Sequence, residues 1–176
     1  MLVYGLSMVE LFAVSAIYHI GTWKPEARRK LRAMDHASIF VLIAGTYTPF
    51  CFNVLEGWLR VITLIAIWLL AASGVGLSAF TTRLPRWVGT CIYIVMGWAS
   101  ILALPSLLAA LPTEAVMLLF LGGVAYTLGG IIYALKKPDP FPKVFGFHEI
   151  FHLLVILGAA LHAAVIWIWV VPFPRR

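Results

Sequence analysis

Six long apolar runs occupy most of this 176-residue chain, at about 2–22, 34–54, 59–80, 88–110, 114–135 and 147–171. Each is close to the roughly 20 residues a helix needs to cross a bilayer. The runs are continuous and do not alternate with period two, which excludes a β-barrel. Only 11% of residues are charged and 62% are hydrophobic, too little charge to cover a soluble surface of this size. The expected fold class is therefore an all-α polytopic membrane protein, a single helical bundle domain over 1–176 with six transmembrane helices. The runs leave no room for a second, soluble domain. The first one contains Glu10 and lacks a basic start, so it does not read as a cleavable signal.

The net charge of +6 reads as topology, and no nucleic-acid partner is expected. The connection 23–33 holds Lys24, Arg28, Arg29, Lys30 and Arg32; 81–87 holds Arg83 and Arg86; 136–146 holds Lys136, Lys137 and Lys143. Placing these three connections on one side collects ten of the thirteen Lys and Arg, leaving Arg60, Arg175 and Arg176 for the other. Basic loops stay cytoplasmic, so both ends of the sequence are expected to face outward.

Other residues fit helices in a bilayer. Trp23, Trp58, Trp87, Trp167 and Trp169 fall near run ends, as interfacial anchors do. Leu111-Pro112-Thr113-Glu114 offers a helix start with Thr113 as cap. Gly74, Gly76, Gly122, Gly123, Gly129 and Gly130 are read as surfaces for close helix packing. Cys51 and Cys91 fall near opposite membrane faces and are not expected to pair.

Ionisable residues inside spans are costly and are functional candidates. The first run ends Ser15-Ala16-Ile17-Tyr18-His19, with Ser15 one turn deeper than His19 on the same face. The second begins Asp35-His36, and the last begins His148-Glu149-Ile150-Phe151-His152. Two histidines four apart project from one helix face and can share a metal ion. The topology brings His19 to a similar depth, so His19, His148 and His152 could bind zinc and leave one position for water, as catalytic zinc sites do. Asp35 could orient that water and accept its proton, with Ser15 contacting the water or a substrate carbonyl. An interfacial cluster that merely solvates helix ends is the plainer alternative. His36 lies about 100° around the helix from Asp35 and is read as supporting or packing. His162, about 15 Å deeper than His152, is expected to hydrogen-bond a neighbouring helix. Glu10 lies deep in the first run and needs a polar partner or a water-filled cavity.

Three blocks, Ser15–His19, Asp35–Phe50 and His148–His152, in this order and spacing, resemble the hemolysin III / progestin and adipoQ receptor (PAQR) superfamily. The compact chain looks like its bacterial hemolysin III branch. The resemblance implies a seven-helix bundle with zinc near the cytoplasmic face, ligated by His19, His148 and His152, with Asp35 and Ser15 beside it. Six runs are found here, and the family's first helix has no counterpart in the sequence. Location in a bacterial inner membrane, in contact with membrane lipid, follows from the same resemblance. A homo-oligomer is compatible with the sequence.

The leading functional expectation is a zinc-dependent hydrolase of a lipid amide or ester, ceramidase-like, with a part in membrane lipid homeostasis. A receptor or lipid sensor with structural zinc is a second reading, and a pore-forming hemolysin a third. His148-Glu149-Ile150-Phe151-His152 is also a literal H-E-x-x-H, the zinc-protease pattern in which the glutamate is general base.

Overall fold

In a computed structural model that describes residues 1–80, 85–142 and 144–174, helix dominates. Arg83, Lys143, Arg175 and Arg176, four of the basic residues used to assign topology, lie outside the described residues. The elements are α1 (Leu2–Ile20), α2 (Pro25–Asn53), α3 (Gly57–Phe80), α4 (Arg86–Trp98), a 3₁₀ stretch (Ala99–Ala103), α5 (Leu104–Ala110), α6 (Thr113–Leu135) and α7 (Phe147–Val165). A wider turn, Ile166–Val170, continues α7. Among the described residues there is no strand, only an isolated bridge between Phe141 and Phe145.

Five helical segments are long and apolar enough to cross a membrane: α1, α3, Arg86–Ala110, α6 and Phe147–Val170. The sixth, α2, is the longest helix at 29 residues but the least apolar. Its first turns are basic, and Asp35, His36, Thr46 and Thr48 interrupt its apolar part. Large apolar side chains such as Leu69, Leu70, Leu128, Leu153 and Ile156 stand exposed. Helices satisfy their own backbone, so such faces suit lipid and would be a liability in water. This is an integral, multi-pass membrane protein in contact with lipid.

Two boundaries differ from the sequence expectation. Helix α2 begins at Pro25, not near residue 34, because the basic connection is itself mostly helical. Proline suits the first helical turn, Glu26 favours the amino end, and Lys30 pairs with Glu26 at 3.2 Å. The run 88–110 is interrupted at Ala99–Ala103. Pro105 has no N–H to give and its ring crowds the carbonyl four residues earlier, that of Ile101, so the helix tightens there. A third correction concerns Thr113, which is already the first residue of α6 and gives no side-chain cap.

The chain forms two compact units, Met1–Leu84 and Pro85–Arg176. In the first, α2 packs between α1 and α3. The ring of Phe40, 2% exposed, fills the space over Gly74 of α3, and the Ser7 side chain of α1 sits over Gly45 of α2. Trp68 Nε1 donates to Thr48 Oγ1 at 3.1 Å, tying α3 to α2. In the second unit, Gly129 of α6 lies against Leu154 and Phe151 of α7, Gly130 against Thr90 of α4, and Gly158 of α7 against Tyr126. Trp98 Nε1 donates to Thr127 Oγ1 at 2.9 Å, joining α4 to α6. Gly76, expected as a packing surface, faces open space. Both cysteines are free thiols, Cys51 buried and Cys91 exposed.

Candidate metal centre

In the first unit the polar residues gather where α1 ends. Ser15 and His19 occupy its last two turns, and Trp23 folds back to donate from Nε1 to the Ile17 carbonyl at 2.9 Å. Gly21 permits this return, because a Cβ there would run into the Trp23 ring. His19 is exposed and its ring sits edge-on to Tyr18 at 4.5 Å between centroids. On α2, Asp35 is half-buried; the Ser15 side chain hydrogen-bonds its carboxylate, and His19 lies close enough to interact with it electrostatically. His36 Nδ1 stands 3.8 Å from Asp35 Oδ2. The Ser38 hydroxyl, fully buried, donates to the Asp35 carbonyl at 2.8 Å.

In the second unit the histidine pair opens α7. His148 and His152, one turn apart, bring their Nε2 atoms to 3.1 Å with rings perpendicular. Aromatic side chains fix the pair. Tyr133 of α6 lies 6.0 Å from the His148 ring and 4.9 Å from Phe151, and the Arg86 guanidinium of α4 lies over Tyr133 at 5.3 Å. Two carboxylates tie down the amino end of the helix, where amides lack intrahelical partners. Gly146 N donates to Glu149 Oε2 at 2.8 Å, and Phe147 N donates to Asp139 Oδ1 at 3.1 Å.

Two imidazole nitrogens at this separation fit a tetrahedral ion, whose Zn–N bonds of about 2.0–2.1 Å set neighbouring nitrogens roughly 3.4 Å apart. The donor set, neutral imidazole with oxygen-bearing side chains nearby, is also one that zinc accepts.

A family model described as "Haemolysin-III related" matches residues 1–163. The chain belongs to the hemolysin III/PAQR family. The family relatives include a hemolysin-3 homolog of Bacillus subtilis, 39% identical over 90% of this chain and 71% of its own length. Hemolysin-3 of Bacillus cereus is 36% identical over 97% of the chain and 74% of its own length. The human monocyte to macrophage differentiation factor is 31% identical over 94% of the chain and 68% of its own length.

Within this hemolysin III/PAQR chain, the sequence singles out the histidines, Asp35 and Ser15, but not Tyr133, Arg86 or Asp139. Nothing local marks a tyrosine 15 residues before His148 as its neighbour; the pairing of α6 with α7 creates the contact. Asp139 stands in a Lys-Pro-Asp-Pro sequence, a turn signal whose hydrogen bond to α7 depends on how the connection closes. His162 departs from expectation: its Nδ1 meets the Gly158 carbonyl of its own helix at 2.9 Å, while its ring lies over Gly122 of α6.

Proposed function

We propose that His19, His148 and His152 bind one zinc ion and that the protein hydrolyses a lipid amide or ester. The three side chains form a group that could hold a metal ion, and the 3.1 Å spacing of the His148 and His152 Nε2 atoms carries the reading furthest. When bound, zinc would polarise the substrate carbonyl and make water a better nucleophile near neutral pH.

The chain's own residues supply the rest. Asp35 takes the proton of the attacking water on a carboxylate oxygen and returns it to the departing amine or alcohol, the work of a general acid–base. Ser15, bonded to that carboxylate, orients it, and His36 holds its other side. Apolar helix faces supply a route for an acyl chain, so the substrate is a membrane lipid. With the basic connections on the cytoplasmic side, the ends of the helices that carry the site face the cytoplasm of a bacterial inner membrane.

One observation weighs against the protease reading of the same motif. A protease requires Glu149 as base, yet Glu149 is exposed and its carboxylate accepts the Gly146 amide as a helix cap.

The direct test supplies zinc-loaded protein in lipid nanodiscs with a ceramide and with a glycerol ester, and measures fatty acid by mass spectrometry. Release that disappears in Asp35→Asn supports the hydrolase. Absence of release from either lipid, with zinc bound, would leave the receptor or sensor as the better reading.

A further inference from the structure

The connection from α6 to α7, residues 136–146, is tied at both ends to membrane helices and folded back on itself in the middle. Phe141 N donates to the Phe145 carbonyl at 3.1 Å, and Phe145 N donates to the Phe141 carbonyl at 2.8 Å. That double exchange is the hydrogen-bonded pair of an antiparallel ladder, and residues opposite each other in such a pair carry their side chains on one face. Val144 N also donates to the Phe141 carbonyl, at 2.9 Å. The turn therefore presents its apolar side chains outward: Phe141 is 67% exposed, Val144 83%, and Phe145 is exposed as well. Pro138, Pro140 and Pro142 restrict the same stretch.

Positive charge stands beside this apolar tip. Lys137 is exposed on the connection. Arg86, exposed at the start of α4, lies over the Tyr133 ring at 5.3 Å, and Tyr133 is one helical turn before Lys137. The acidic residue of the connection, Asp139, is engaged by the Phe147 amide at 3.1 Å. Trp87, next to Arg86, is exposed too, as an interfacial anchor is. All of these residues belong to the second unit.

We propose that this tip is a binding site for an anionic phospholipid, with the phosphate held by Lys137 and Arg86 and with Phe141, Val144 and Phe145 inserted among the acyl chains. Chain continuity with α6 and α7 keeps the turn at the membrane boundary, where a cation beside an apolar wedge matches both parts of such a lipid. A wedge already held by two backbone hydrogen bonds and three prolines loses little freedom on insertion. Phe145 is three residues from His148, and Asp139 binds Phe147, so the bound lipid sets the depth at which α7 begins. The inference does not depend on zinc binding or on hydrolysis.

The test uses the full chain in nanodiscs of phosphatidylcholine alone and of equal parts phosphatidylcholine and phosphatidylglycerol. A nitroxide is placed at Val144→Cys in a Cys91→Ser background, because Cys91 is the exposed thiol and Cys51 is buried. The label should be more accessible to oxygen than to a water-soluble nickel chelate, and deeper in the anionic bilayer. Without the label, mild detergent extraction should retain phosphatidylglycerol over phosphatidylcholine, measured by mass spectrometry. That preference should fall roughly fivefold in Lys137→Gln and in Arg86→Gln, the scale of one cation at an anionic surface, and Arg86→Lys should keep it. Phe141→Ser should bring the label into water. A label already in water in both bilayers overturns the proposal, and so does a lipid preference that is absent or indifferent to Lys137→Gln.

Discussion

The Nε2 atoms of His148 and His152 face each other 3.1 Å apart across one turn of α7. An N–H on one ring and a lone pair on the other account for this distance, and two lone pairs turned toward one ion account for it equally. Neighbouring nitrogens on tetrahedral zinc stand roughly 3.4 Å apart, a few tenths of an ångström wider. Binding would thus require little movement of a pair already oriented by Tyr133 and Phe151.

The roles of the two candidate carboxylates separate by substitution. Asp35→Asn keeps its shape but cannot take a proton, and lipid hydrolysis should fall about 10²–10⁴-fold. Glu149→Gln should leave turnover within a fewfold, since an amide oxygen can still accept from Gly146 N. Rates of fatty-acid release for both variants at equal zinc content decide the matter; the reverse pattern would favour a protease-like base.

Asp139 should matter through the start of α7. Asp139→Ala removes the acceptor of Phe147 N and is expected to cost about 1 kcal/mol, as lost helix caps do. The loss should appear as earlier thermal unfolding and as faster hydrogen exchange confined to the first turn of α7. Exchange unchanged at residues 147–150 would count against the contact.

Much of this layout can be read from sequence, and the exceptions share a cause. The apolar runs identify the membrane helices, and the i, i+4 spacing puts His148 and His152 together because helix geometry alone determines it. The early start of α2 was obscured by its charge: Arg28, Arg29, Lys30 and Arg32 look like a loop to hydropathy, yet they are good helix formers after Pro25. The break at Ala99–Ala103 follows from Pro105, a local signal outweighed by the length of the apolar run. Tyr133 over His148 and Asp139 against Phe147 depend on which helices pair and how a connection closes, and no local pattern encodes either.

Lys136 ends α6 in the left-handed conformation, with φ 56° and ψ 35°. Side chains pay roughly 1 kcal/mol there, and glycine does not. Lys136→Gly should therefore raise thermal stability by about that amount with activity unchanged. A lower melting temperature would show that the lysine side chain contributes more than its backbone costs.

Close packing at Gly74 should be intolerant of size. Gly74→Leu drives a side chain into the fully packed Phe40 ring, and about 1–3 kcal/mol of destabilisation is expected. Gly76→Leu, which meets open space, serves as the matched control and should melt close to wild type. Equal loss in the two variants would contradict the packing of α3 on α2.

Metal content tests most directly whether one zinc ion is held by His19, His148 and His152. Detergent-purified protein would be analysed by elemental mass spectrometry after dialysis against trace zinc, with His19→Ala and His152→Ala beside wild type. About one zinc per chain in the wild type, the open-site stoichiometry, lost in both variants, is the expected result. A wild type without zinc, or zinc retained by His19→Ala, would contradict a site shared by α1 and α7.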